Sequence, residues 1–169
     1  FRRKGQELII TPAERLDDGS AFHVQVNYAG KPGPIRDADG SSSGWFRTSD
    51  GAVALGEPRG SPTWFPCNDH PIDKASYRIK VTTAAPTIAI SNGRLIERKR
   101  RGRRVTTLWE QQEPMASYLA TVAIGRFDLD RGQVDGVQYV AAADRNHGPQ
   151  ALTELREDTA YAHGLISDI

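Results

Sequence analysis

Apolar residues recur at every second position through much of this chain, which is the period of a strand with one buried face. Over residues 21–28, Phe22, Val24, Val26 and Tyr28 alternate with His23, Gln25 and Asn27. A shorter run of the same kind covers residues 6–11, and Asp17, Asp18 and Gly19 supply the turn between the two. Residues 30–62 are rich in Gly, Pro, Ser and Asp and have little periodicity, so they read as a long loop or several short ones. Strand patterns resume at 76–82, 87–90, 95–97, 105–110, 118–128 and 137–142. In the run 118–128, Leu119, Ala120, Val122, Ala123 and Ile124 are apolar on both faces, which predicts a central strand covered on both sides.

Only after Gly148 does the spacing change to three and four, at Leu152, Leu155, Thr159 and Ala162, the stripe of an amphipathic helix. Closely spaced strands joined by turns, without intervening helices, predict an all-β fold, an antiparallel β-sandwich with a short C-terminal helix. The sandwich is expected over residues 1–144. Residues 145–169 are expected to form a linker and the first helix of a following domain, because the helix stripe has no partner helix in the chain. An opening on Phe1-Arg2-Arg3-Lys4 reads as the interior of a longer polypeptide.

Composition narrows the chemistry. The chain has 169 residues, 38% of them hydrophobic and 25% charged, with a net charge of +1, which gives no bulk attraction to nucleic acid or to a membrane surface. No apolar run is long enough to span a bilayer, and the compartment stays open. Cys67 is the single cysteine, so an intrachain disulfide and a Cys-built metal site are excluded. It follows Pro66 rather than sitting in a nucleophile elbow, and reads as a small buried residue. His23, His70, His147 and His163 are scattered, with no H-E-x-x-H pair on one helical face, so no metal ligands are expected here. The run Arg98-Lys99-Arg100-Arg101-Gly102-Arg103-Arg104 lies between two strand patterns around a glycine and carries no interleaved aromatic residue. It reads as a solvated hairpin tip rather than a nucleic-acid surface.

Four ordered motifs then resemble one family. Glu57-Pro58 followed by Phe65-Pro66-Cys67-Asn68-Asp69-His70-Pro71 is similar to the Gln-x-Glu-Pro and Phe-Pro-Cys-x-Asp-Glu-Pro segments of the aminopeptidase N-type zinc metallopeptidases. Lys74-Ala75-Ser76-Tyr77 resembles its Lys-Ala-x-Phe/Tyr strand start, and Ala89-Ile90-Ser91-Asn92-Gly93 its Ala-x-Ser-Asn-Gly turn. Pro114-Met115-Ala116-Ser117-Tyr118-Leu119 resembles its Pro-Met-Ser-x-Tyr-Leu strand, with Gly125-Arg126-Phe127-Asp128 following. Leu55 stands where the family's Gln is usual, and His70 where a Glu is common.

The resemblance implies a piece of the family's N-terminal β-domain. It implies a parent enzyme that uses zinc to remove N-terminal residues from peptides, with the zinc helix in a catalytic domain that no segment here matches. It also implies that Glu57 reaches into that active site and binds the free α-amino group of the substrate, while catalytic and metal residues are absent from this chain. Asp69 and Lys74 are expected to form a local ion pair or cap. The alternative is a stand-alone β-sandwich module that binds protein or carbohydrate through the loop at residues 30–62.

Overall fold

The computed structural model describes residues 1–134 and 136–167. Among them are twelve strands and one α-helix: β1 (Arg2–Lys4), β2 (Glu7–Ile9), β3 (Pro34–Arg36), β4 (Ser42–Arg47), β5 (Ala52–Leu55), β6 (Ala75–Ala84), β7 (Ile88–Ser91), β8 (Arg94–Arg101), β9 (Arg104–Met115), β10 (Val122–Gly125), β11 (Phe127–Val134), β12 (Val137–Asp144) and α1 (Gly148–Ser167). A five-stranded sheet in the order β3-β4-β5-β10-β7 faces a three-stranded sheet in the order β6-β9-β8. The pairs β1-β2 and β11-β12 form separate hairpins, and every paired strand is antiparallel. The all-β sandwich is the fold adopted.

Small residues on one sheet make room for large ones between the layers. Ala54, Ala89 and Val122 form the buried centre, and Trp45, Trp64, Ile79, Val81 and Ile124 pack around it. On β9 the alternate positions Val105, Thr107 and Trp109 turn inward and are buried. Trp109, 2% exposed, donates from Nε1 to the carbonyl of Ala89 at 3.0 Å, and the Thr107 hydroxyl donates to the same oxygen at 3.1 Å. Ala89 lies on β7, the outer strand of its sheet, so these two bonds satisfy a carbonyl that an edge would leave open.

Several expectations are corrected. Residues 21–28 alternate as a strand does, yet they join no ladder, every residue among them is exposed, and Phe22 is 68% exposed. Alternation creates a strand only where a neighbour supplies hydrogen bonds, and none of the described residues does so here. The Tyr28 hydroxyl anchors this segment to the sandwich, donating to the Trp64 carbonyl at 2.9 Å. The expected loop at residues 30–62 contains β3, β4 and β5. The fully buried positions of β4 and β5 are Ser43, Gly44, Ala52 and Ala54, too small to register as a hydrophobic pattern.

The run 118–128 is divided. A 3-10 turn covers Ser117–Leu119, and β10 is the predicted central strand, between β5 and β7, before the chain enters β11. The basic run is less of a tip than expected, since Arg98 to Arg101 belong to β8 and only Gly102 and Arg103 lie between the paired Arg101 and Arg104. Gly102 has φ 58°, as such a turn requires. Helix α1 does have a partner, for it lies against β11 and β12 with Ala151 and Leu152 half-buried.

Candidate functional site at the Glu57 turn

The chain leaves β5 at Leu55 and reverses through residues 56–60 before a 3-10 turn at Ser61–Thr63. The Gly60 N–H donates to the Gly56 carbonyl at 2.6 Å and closes the reversal. Neither glycine has room for a side chain. A Cβ on Gly56 would fall 2.2 Å from the Tyr118 carbonyl oxygen, and one on Gly60 would fall 2.2 Å from that of Leu55. The turn is tied down beyond this as well. The Ser61 hydroxyl donates to the Ser117 carbonyl at 2.6 Å, the Thr63 hydroxyl to the Gly60 carbonyl at 2.6 Å, and Arg59 forms an ion pair with buried Asp37 at 3.0 Å.

Glu57 rides on this fixed turn with its carboxylate exposed, beside a shallow cleft of about 230 Å³ that it lines with Pro58, Pro71 and Tyr118. Complete small-molecule pockets hold roughly 300–1,000 Å³. The cleft is therefore the size of one wall of a site: a single anionic acceptor set against two prolines and an aromatic ring. Such a wall suits a small cation with an apolar flank.

The other motif residues are scaffold, and they converge. Ser117, which receives the Ser61 bond on its carbonyl, donates its hydroxyl to Asp69 at 2.5 Å. Asn92 donates to the Leu119 carbonyl at 3.0 Å and accepts the Thr121 N–H at 2.7 Å, while the Thr121 hydroxyl reaches the Ala54 carbonyl at 2.6 Å. Residues 117–121 are thus the knot at which the Glu-Pro, Pro-Cys and Ser-Asn-Gly motifs meet. No Asp69–Lys74 ion pair occurs among the described residues, because Ser117 engages the carboxylate from across the fold. Burial first, and the Asp69 charge second, push the Cys67 thiol from 9.0 up to about 11, opposed by a hydrogen bond with Ser117. A thiol held protonated at neutral pH is a poor nucleophile.

His70 accepts the Ile72 N–H on Nδ1 at 3.2 Å, a local turn contact. No cluster of three or more His, Cys, Asp or Glu side chains suited to a metal ion occurs among the described residues, so the donor set for zinc does not fit here. A second groove of about 650 Å³, lined by Arg94, Arg131, Gln133, Gln138 and Tyr139 among others, shares no residue with the Glu57 cleft. The sequence motif singles out Glu57, whereas the parts that Tyr118, Asp37, Arg59 and Ser61 play around the turn come from contacts across long stretches of chain.

The model of the peptidase M1 N-terminal domain family matches residues 1–119. Aminopeptidase M1 of Arabidopsis thaliana is 31% identical over 105 residues, covering 60% of this chain and 12% of that protein. Human glutamyl aminopeptidase is 30% identical over 141 residues, covering 76% of this chain and 14% of that protein. Among solved structures, a two-domain M1 zinc metallopeptidase bound to L-arginine superposes with a TM-score of 0.60 at 25% identity, covering 67% of this chain and 27% of that one. The chain spans 12–14% of the length of these two curated relatives. With the matched model covering most of its length, this chain belongs to the peptidase M1 N-terminal domain family.

Proposed function

We propose that this chain serves as the non-catalytic N-terminal domain of a zinc-dependent aminopeptidase, where it scaffolds the active site and presents Glu57 to the α-amino group of a peptide substrate. The observation that carries the reading is Glu57 itself, an exposed carboxylate on a turn held rigid from several sides, at the lip of a small apolar cleft. An α-ammonium needs a charged acceptor in a partly water-excluded place, and Pro58, Pro71 and Tyr118 supply that exclusion. An acylated N-terminus has no such charge. A site built around this contact therefore selects free N-termini and makes the enzyme an exopeptidase. The structurally similar metallopeptidase with bound L-arginine is a protein whose ligand carries a free α-amine.

Zinc in the parent enzyme would supply a Lewis acid for attack on the first peptide bond. The described residues of this chain include no cluster suited to hold it. Their part is to bind, orient and exclude water. The remaining wall of the site comes from the protein's own catalytic domain. Ile72, 84% exposed beside Pro71, and Leu119, exposed beside Tyr118, give the cleft an apolar rim suited to being covered.

Expression of the chain alone and of the longer protein tests the division of labour. The chain alone is expected to retain no stoichiometric zinc after dialysis and to release no amino acid from a chromogenic aminoacyl substrate, whereas the longer protein does both. Zinc retention or hydrolysis by the chain alone would overturn it.

A further inference from the structure

We infer that Asp37 is a positioning residue of this site: acting through Arg59, it fixes the turn on which Glu57 is carried. The inference rests on the reading of Glu57 as the amine ligand. Asp37 directly follows β3 and is itself held by the backbone, its N–H donating to the Ser41 carbonyl at 2.9 Å and its carbonyl accepting the Gly40 N–H at 3.0 Å. Its side chain is 4% exposed. Oδ1 accepts both Nε and Nη2 of Arg59, at 3.1 and 3.0 Å, while Oδ2 is buried with no hydrogen-bond partner. A buried carboxylate with half its acceptor capacity unused is a poor way to stabilise a sandwich, and an apolar residue of similar volume would do as well or better. What the pair does supply is direction. It draws Arg59, and with it the middle of the turn, toward the β3-β4 connection.

Glu57 needs such help because its own carboxylate makes no hydrogen bond or ion pair among the described residues, so only its backbone sets where the carboxylate projects. The far end of the turn is held at Gly60 and Ser61. Between Glu57 and Gly60, the Arg59–Asp37 pair is the one side-chain tether among the described residues. An amine ligand displaced by even an ångström loses much of a directional, charge-assisted contact.

Two readouts test the inference. In this chain, amide hydrogen exchange at Gly60 should quicken by roughly tenfold or more in Asp37→Asn and in the charge-free pair Asp37→Asn/Arg59→Gln, with slow exchange at Trp109 and Val122 unchanged. The paired variant leaves no lone buried charge and keeps the comparison on folded protein. In the longer peptidase, Asp37→Asn should lower kcat/KM for free-amine substrates roughly tenfold when Glu57 is present, and less than about twofold in a Glu57→Ala background. Unchanged Gly60 exchange, or an equal kinetic loss in both backgrounds, would overturn the inference. If Glu57→Ala alone leaves the kinetics unchanged, the amine-ligand reading falls, and Gly60 exchange still decides whether Asp37 holds the turn.

Discussion

The hydroxyl of Ser61 donates to the carbonyl of Ser117 at 2.6 Å, a buried bond between residues 56 positions apart. It locks the turn that carries Glu57 to the segment that supplies Tyr118, and so holds the two sides of the cleft at a fixed separation. Ser61→Ala leaves the Ser117 carbonyl buried without this donor. The carbonyl keeps the Ala120 N–H at 2.9 Å, so the expected loss is about 0.5–1.5 kcal/mol of unfolding free energy, measured by urea denaturation with an unchanged m-value.

Gly60→Ala is expected to be worse, although it adds a single methyl group. The new Cβ would lie 2.2 Å from the Leu55 carbonyl oxygen and 2.3 Å from the Gly44 nitrogen, both of them backbone atoms that do not rotate away. The cost should reach at least the upper end of the roughly 1–3 kcal/mol usual for overpacking. A chemical denaturation curve indistinguishable from that of the parent chain would show that the turn is not packed as described.

Trp109, buried on β9, reaches across to β7 and closes the Ala89 carbonyl. Trp109→Phe keeps part of the volume and loses the N–H, whereas Trp109→Ala also opens a cavity. The expected order of stability is parent, Phe, Ala, with the Ala variant losing about 3–5 kcal/mol. Thermal unfolding of the three proteins side by side gives the order directly.

Cys67 gives a pH dependence with a definite sign. Its folded thiol is raised from 9.0 to about 11, mainly by burial, so the folded state holds its proton where the unfolded state has lost it. The corresponding stability is complete below pH 9 and is lost as the pH rises from there toward 11. Alkylation of the native chain by iodoacetamide should be slow at pH 8 and still climbing above pH 9.5, whereas the rate in denaturant should level off near pH 9 to 10. Cys67→Ser should lack the Cys67 part of the alkaline loss.

Which parts of this fold were legible follows from what each residue contributes locally. Asn92-Gly93 and Gly102 announce their turns because positive φ angles are a property of the residue itself, and Gly93 and Gly102 have φ of 78° and 58°. The doubly apolar run around Val122 announces a central strand for the same kind of reason. By contrast, β4 and β5 are buried through Ser43, Gly44, Ala52 and Ala54, residues whose smallness fits them beneath the tryptophans but removes them from any hydrophobic pattern. Residues 21–28 err in the opposite direction, since their alternation is real but a ladder depends on a neighbour the residues do not specify. At the proposed site, Glu57 stands out in the sequence only through its resemblance to a known motif. Its supports do not, because Asp37–Arg59 and Ser61–Ser117 join positions whose separation carries no periodic signal.

The central claim is that Glu57 binds the substrate α-amine, and the most direct measurement is kcat/KM of the longer peptidase and its Glu57→Ala variant on a matched pair of substrates, one with a free α-amino group and one in which hydrogen replaces it. Loss of one charge-assisted contact, about 1.5–3 kcal/mol, predicts a fall of roughly 10- to 150-fold on the free-amine substrate and no change on its partner. Equal kinetics for the two enzymes on the free-amine substrate would contradict the claim and leave Glu57 an exposed carboxylate on a well-made turn.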